Sequence, residues 1–110
     1  MRESFIATSY SFYHWSSRPE NTPRSNIEIK GADGASCTVW FMNNPAGTLI
    51  PARRSGVRRY SFYYYHWQFD QILDMLRNES PITIEFNDDS GLSNSRISTG
   101  TEPAGEGELT

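Results

Sequence analysis

Between Tyr60 and Phe86 the hydrophobic period of the chain changes twice. Tyr60-Ser61-Phe62-Tyr63-Tyr64-Tyr65 is a run of rings, and aromatic side chains pack well on a pleated surface. Phe69, Ile72, Leu73 and Leu76 then recur at helical spacing, with Asp70, Gln71, Asp74 and Arg77 mostly on the opposite side. Pro81 disfavours helical geometry at Ser80 and so ends the helix near Asn78 to Ser80. Ile82, Ile84 and Phe86 alternate with Thr83 and Glu85, as in a half-buried strand. A strand, an amphipathic helix over about 67–79 and another strand follow one another without a break, which predicts a mixed α+β fold.

The rest of the chain adds strands. Residues 3–15 are aromatic and β-branched enough for a first strand, and Pro19 and Pro23 mark the loop after it. Ile27 to Ala32 and Ser36 to Met42 flank Asp33-Gly34, a hairpin signal because both residues tolerate positive φ. In the second arm Cys37, Val39 and Phe41 face one way and Thr38, Trp40 and Met42 the other. Both faces are fairly apolar, which predicts a strand near the middle of a sheet. Asn43 to Gly47 is rich in turn residues, and Pro51 to Arg59 reads as a polar, basic stretch. Asn87 to Gly91 reads as a turn, with a short last strand near Arg96 to Thr99. The expected architecture is a mainly antiparallel sheet of about five or six strands with one helix packed on a face. It forms one domain over residues 1–99, with a small, acidic, glycine-rich tail from 100 to 110 expected to fray. Tyr10-Ser11-Phe12-Tyr13-His14-Trp15 is echoed by Tyr60 to Trp67, as two strands of similar type would be or as chance would give in an aromatic-rich chain.

The chain has 110 residues and one cysteine, Cys37. No internal disulfide can form, and a reducing, cytoplasmic setting is expected. No run of apolar residues is long enough for a membrane span, and the first ten residues do not read as a signal peptide. The formal net charge of −3 argues against bulk nucleic acid as a partner. Arginine supplies nine of the ten basic residues, with Lys30 the only lysine. Coding bias or a demand for bidentate contacts would both give that.

Four of those arginines lie together in Arg53-Arg54-Ser55-Gly56-Val57-Arg58-Arg59, directly before the ring-rich strand. Arginine forks match phosphate and carboxylate geometry, and ring faces stack. A solvated loop whose charges keep the sheet soluble is the bland alternative. Alternation places Tyr60, Phe62 and Tyr64 on one face and Tyr63 and Tyr65 on the other, so only one set is free to bind. The reading favoured is a small non-enzymatic binding or regulatory protein, of the adaptor, inhibitor or immunity type found in bacteria and phages. Arg53, Arg54, Arg58, Arg59, Tyr63 and Tyr65 would hold an acidic protein partner or a small phosphorylated ligand. Open sheet edges also allow a homodimer.

A second candidate is the pair His14 and His66, each between a tyrosine and a tryptophan. Two imidazoles with arginines nearby could cleave RNA or another phosphodiester without metal, one as base and one as acid. A small α+β domain of this size is similar in architecture to the small microbial ribonucleases. That likeness is one of size and class; none of their sequence motifs is present, so no residue roles carry over. A third reading is a structural subunit that buries its aromatic face in a homo-oligomer. Asp70, Asp74, Asp88 and Asp89 read as helix-surface and turn residues, because the turn lacks the spacing of a calcium loop. Cys37 has no CxxC partner and reads as a buried thiol. No zinc-type Cys/His spacing, phosphate-binding glycine loop or nucleophile elbow occurs, so neither cofactor nor metal is expected.

Overall fold

The computed structural model describes residues 1–89 and 94–100. It is a small α+β fold: one helix and a curled, mixed sheet of seven strands. The strands are β1 (Arg2–His14), β2 (Pro23–Gly31), β3 (Ser36–Met42), β4 (Arg53–Gly56), β5 (Arg59–Tyr65), β6 (Ile82–Asn87) and β7 (Arg96–Thr99), and the helix α1 is Phe69–Asn78. Their order across the sheet is β4-β5-β3-β2-β1-β6-β7.

Two features differ from the expected sheet. The described residues form seven strands rather than five or six, and β3 and β5 run parallel, in register from Ser36 opposite Arg59 to Met42 opposite Tyr65. Both differences have one source. The basic stretch 53–56 is a strand, hairpinned onto β5 through Val57 and Arg58. Residues 43–58 therefore form the crossover that a parallel pair requires. All other pairs are antiparallel.

The Asp33-Gly34 turn forms as its residues require, with φ of 60° and 76°. The helix starts two residues later than expected. His66–Gln68 is a 3-10 turn, in which the Tyr65 amide donates to Gln68 Oε1 at 3.0 Å. Of the predicted 87–91 turn, residues 90 and 91 lie outside the described residues, as does the tail from 101 onward.

The long first strand shapes the core. Its first half, Arg2 to Ile6, pairs with β6; its second half, from Ala7, pairs with β2, and a bulge lies between Ala7 and Ser9. There the sheet bends back over itself. Phe5 stacks on Tyr60 at 6.2 Å, and Tyr60 on Phe86 at 5.2 Å. Such contacts between β1, β5 and β6 require a rolled sheet, because β3 and β2 separate β5 from β1 in the order. Gly31 sits at the bend, where an added Cβ would lie 2.5 Å from the Phe5 ring and 2.7 Å from the Ile6 carbonyl. Inside the roll lie Ile27, Ile29, Cys37, Val39, Phe41, Phe62 and Ile84, all essentially sealed from solvent. Helix α1 closes the open side with Phe69, Ile72 and Leu73, and Phe69 meets Phe12 and Phe41 edge-on at 5.8 and 5.0 Å. No helix is long and apolar enough to cross a membrane among the described residues.

Candidate functional site

Strand alternation sends every second side chain to the outer face of the roll. On that face the pairing registers align Tyr13 of β1, Asn26 of β2, Trp40 of β3 and Tyr63 of β5 in one row across four neighbouring strands. Trp15, just beyond the end of β1, stacks nearly parallel to Trp40 at 6.3 Å and meets Tyr13 edge-on at 5.9 Å. The Arg18 guanidinium lies 4.3 Å from the centre of the Trp15 ring, and that of Arg53 lies 5.8 Å from the centre of the Tyr63 ring. Cation–π contact of this kind fixes a guanidinium over a ring while leaving donors for an anion. Tyr65 and Trp67 extend the aromatic surface as a parallel pair at 5.9 Å. Tyr65 is also tied to the loop, where the Gly47 amide donates to its hydroxyl at 2.5 Å.

Of the four clustered arginines, the row takes in one. Arg53 and Arg54 are consecutive on a strand and point opposite ways. Arg53, opposite Ser61, joins Tyr63 on the outer face. Arg54, opposite Tyr60, turns to the rim of the roll and donates from Nε to Glu3 Oε1 at 2.7 Å. A bulge between Arg54 and Gly56 resets the register before the turn. Arg58 occupies that turn at φ 56°, with its Nε buried and without a partner, while its carbonyl accepts from the Ser36 amide at 3.0 Å. Arg59, opposite Ser36, borders a shallow cleft with Glu28 and Lys30. Of the expected binding residues, Arg53, Tyr63 and Tyr65 join the aromatic surface; Arg59 faces the same side but borders the separate cleft, and Arg54 and Arg58 each have other surroundings. Trp15, Trp40, Tyr13 and Arg18 were not singled out from sequence as binding residues. The opposite facing of Trp40 from the buried Cys37, Val39 and Phe41 is the local signal that could have found the first of them.

The two histidines border the same cleft. His14 and His66 line one cleft of about 260 Å³ with Arg24, Ser25, Trp67, Phe69 and Asp70. His14 packs on Phe69 with ring centres 4.5 Å apart, so the start of helix α1 and the end of β1 form its walls. The echo between residues 10–15 and 60–67 has a spatial counterpart: both segments are strands that flank the β2–β3 pair. Each sends rings into the core, rings onto the outer face and one histidine to this cleft.

Other titratable groups serve the fold. Burial drives the Cys37 thiol far above its ordinary range. Tyr64 is pushed up to about 12, by burial first and then by the nearby Cys37. Burial, with the Glu3 carboxylate second, also raises Tyr60. Asp88 and Asp89 pair with the amino group of Met1. Asp74 accepts from the Asn78 amide at 2.6 Å, one helical turn on. Among the described residues no three His, Cys, Asp or Glu side chains gather as metal ligands.

No protein-family model matches the chain, and no curated protein and no solved structure matches it significantly.

Proposed function

We propose that the chain is a small non-enzymatic binding or regulatory protein, and that the outer face of its sheet is the contact surface. The observation that supports this most directly is the Arg53 guanidinium held over the Tyr63 ring, beside Trp40 and the Arg18–Trp15 pair. An exposed face with cations set on rings offers flat apolar contact together with bidentate donors. That combination fits an anionic partner, either an acidic protein surface or a small phosphorylated ligand. Arg59 and Tyr65 border the same side of the sheet and would widen the contact.

Tryptophan fluorescence tests the reading, because Trp15 and Trp40 lie within the surface. Titration with tripolyphosphate or polyglutamate is expected to change the emission, and the change is expected to disappear in Arg53→Gln/Tyr63→Ala. If neither probe perturbs the wild type at about 1 mM, a range that still detects weak binding, the anion-binding reading is rejected.

A second reading has its own observation. His14 and His66 lie 52 positions apart in the chain and line a single cleft with Arg24 and Asp70. One neutral imidazole could take a proton from a ribose 2′-hydroxyl while the other, protonated, gives one to the leaving oxygen. Cleavage of a fluorogenic RNA dinucleotide that survives His14→Ala and His66→Ala would remove this reading.

A further inference from the structure

We propose that the outer aromatic row is a stacking platform for a short single strand of nucleic acid, two or three bases long. This rests on the binding reading above and specifies its ligand. The row crosses from β1 to β5, three inter-strand spacings, or about 14 Å. Its occupants are flat rings on three of those four strands, Tyr13, Trp40 and Tyr63, with Asn26 between the first two and Trp15 stacked on Trp40. Bases have apolar faces of the same size, and sheet-borne aromatics are a recurring way to stack about two or three of them. Between the two anionic partners, an acidic protein surface would use the cations and leave most of the rings idle, whereas a short strand uses both.

The charges fit the same ligand. Two arginines lie over rings of this surface: Arg18 over Trp15, which itself stacks on Trp40, and Arg53 over Tyr63. Two cations held on rings can each take a phosphate of a short strand whose bases stack on the row. They are too few for a duplex, whose charge density demands a broad basic surface that a chain of net charge −3 lacks. Within the row lies an unspent acceptor as well. Asn26 sits between Tyr13 and Trp40, is 3% exposed, and its Oδ1 has no hydrogen-bond partner. Adenine and cytosine carry exocyclic amino groups that such an oxygen accepts; uracil and thymine present carbonyl oxygens at that edge. The oxygen is covered in the free protein, so a neighbouring ring turns aside when a base reaches it.

Quenching of tryptophan fluorescence by hexanucleotides tests the proposal, with oligoadenylate, oligouridylate and oligodeoxyadenylate as separate arms and tripolyphosphate as the anion without bases. Oligoadenylate is expected to bind at least ~10-fold more tightly than tripolyphosphate, since stacking adds to the phosphate contacts. It is also expected to exceed oligouridylate by up to about 10-fold, one hydrogen bond's worth. Trp40→Ala is expected to weaken binding about 10- to 100-fold. Tyr13→Ala, at an exposed ring, gives the same direction if the tryptophan variant fails to fold. The logarithm of affinity is expected to fall with that of salt at a slope of about −1.4, two phosphates on a single strand. The ribose and deoxyribose arms show whether the 2′-hydroxyl adds to the stacking chemistry they share, and equal affinity leaves the platform supported. Oligonucleotides that bind no tighter than tripolyphosphate overturn the stacking proposal while the anion-binding reading stands. Response to none of the probes overturns both.

Discussion

β5 carries two sets of side chains that share a backbone and part at every step. Tyr60 and Phe62 are sealed inside the roll, with Tyr64 packed against the same core, where Tyr60 stacks between Phe5 and Phe86. Tyr63 and Tyr65 stand on the outer face, half-exposed, one under an arginine and the other against Trp67. The amino acids are nearly the same. What differs is how many neighbours each ring must satisfy to stay where it is. An inner ring is held by layers of apolar side chains from four strands and a helix, so its removal opens a cavity. An outer ring rests on one or two neighbours and stays part-exposed. One strand therefore contributes stability through one parity and recognition through the other.

The sharpest way to break this comparison is a pair of truncations one residue apart. Phe62→Ala is expected to cost about 3–5 kcal/mol of unfolding free energy, the usual toll of a large buried ring. Tyr63→Ala is expected to cost about 1 kcal/mol, as for a residue away from the core. Urea denaturation of both reads the difference directly, and equal losses would show that the outer row is structural. Next in size is Gly31→Ala. Its Cβ would strike the Phe5 ring and the Ile6 carbonyl where the sheet bends, so a loss of about 1–3 kcal/mol is expected, as for overpacking. A variant as stable as wild type would mean that the bend can relax.

Alkaline titration probes the inner face by another route. Cys37 and Tyr64 are both held neutral in the fold above their ordinary values of 9.0 and 10.0, and Tyr64 up to about 12. In the unfolded chain they ionise at those ordinary values, so the unfolded state binds fewer protons there. Stability is full below about pH 9 and falls as pH rises, by up to ~1.4 kcal/mol per pH unit for each group. Cys37→Ala is expected to move the onset up by about one pH unit, towards the tyrosine range. Melting curves from pH 8 to 11 would show it, and an unshifted onset would exclude the thiol. The smallest effect separates the two neighbouring arginines. Arg54→Gln is expected to lose no more than about 1 kcal/mol, as for a part-exposed ion pair, and to leave anion binding intact. Arg53→Gln is expected to do the reverse. Arg54→Gln that abolishes binding would shift the site to the rim.

Much of the inner face was legible in the sequence because its signals are local. The Ile82-Ile84-Phe86 alternation, the 69-72-73-76 helix stripe and the Asp33-Gly34 turn each declare themselves within a few residues. β4 did not, since Arg-Arg-Ser-Gly has no apolar alternation and becomes a strand only because β5 offers it an edge. The parallel β3–β5 pair depends on that same crossover and has no signature of its own. The outer row was half legible: alternation assigns Tyr63 and Trp40 to their faces, but which rings become neighbours is set by register across β1, β2, β3 and β5. The arginines show the converse. Four that are close in sequence look like one patch, but alternation sends Arg53 and Arg54 to opposite sides and a bulge after Arg54 resets the register before Arg58 and Arg59.

The division of β1 between two partners also bears on how the chain acquires its structure. The second half of β1, β2 and β3 are consecutive and can zip together as a meander with short loops to close. The first half of β1 must wait for β6, since Arg2 pairs with Asn87. Bringing such distant residues together incurs loop-closure entropy before any contact offsets it, which slows folding. The meander would thus assemble first, with the Phe5 end of its leading strand unclaimed, and the arrival of β6 would be the step that seals the roll.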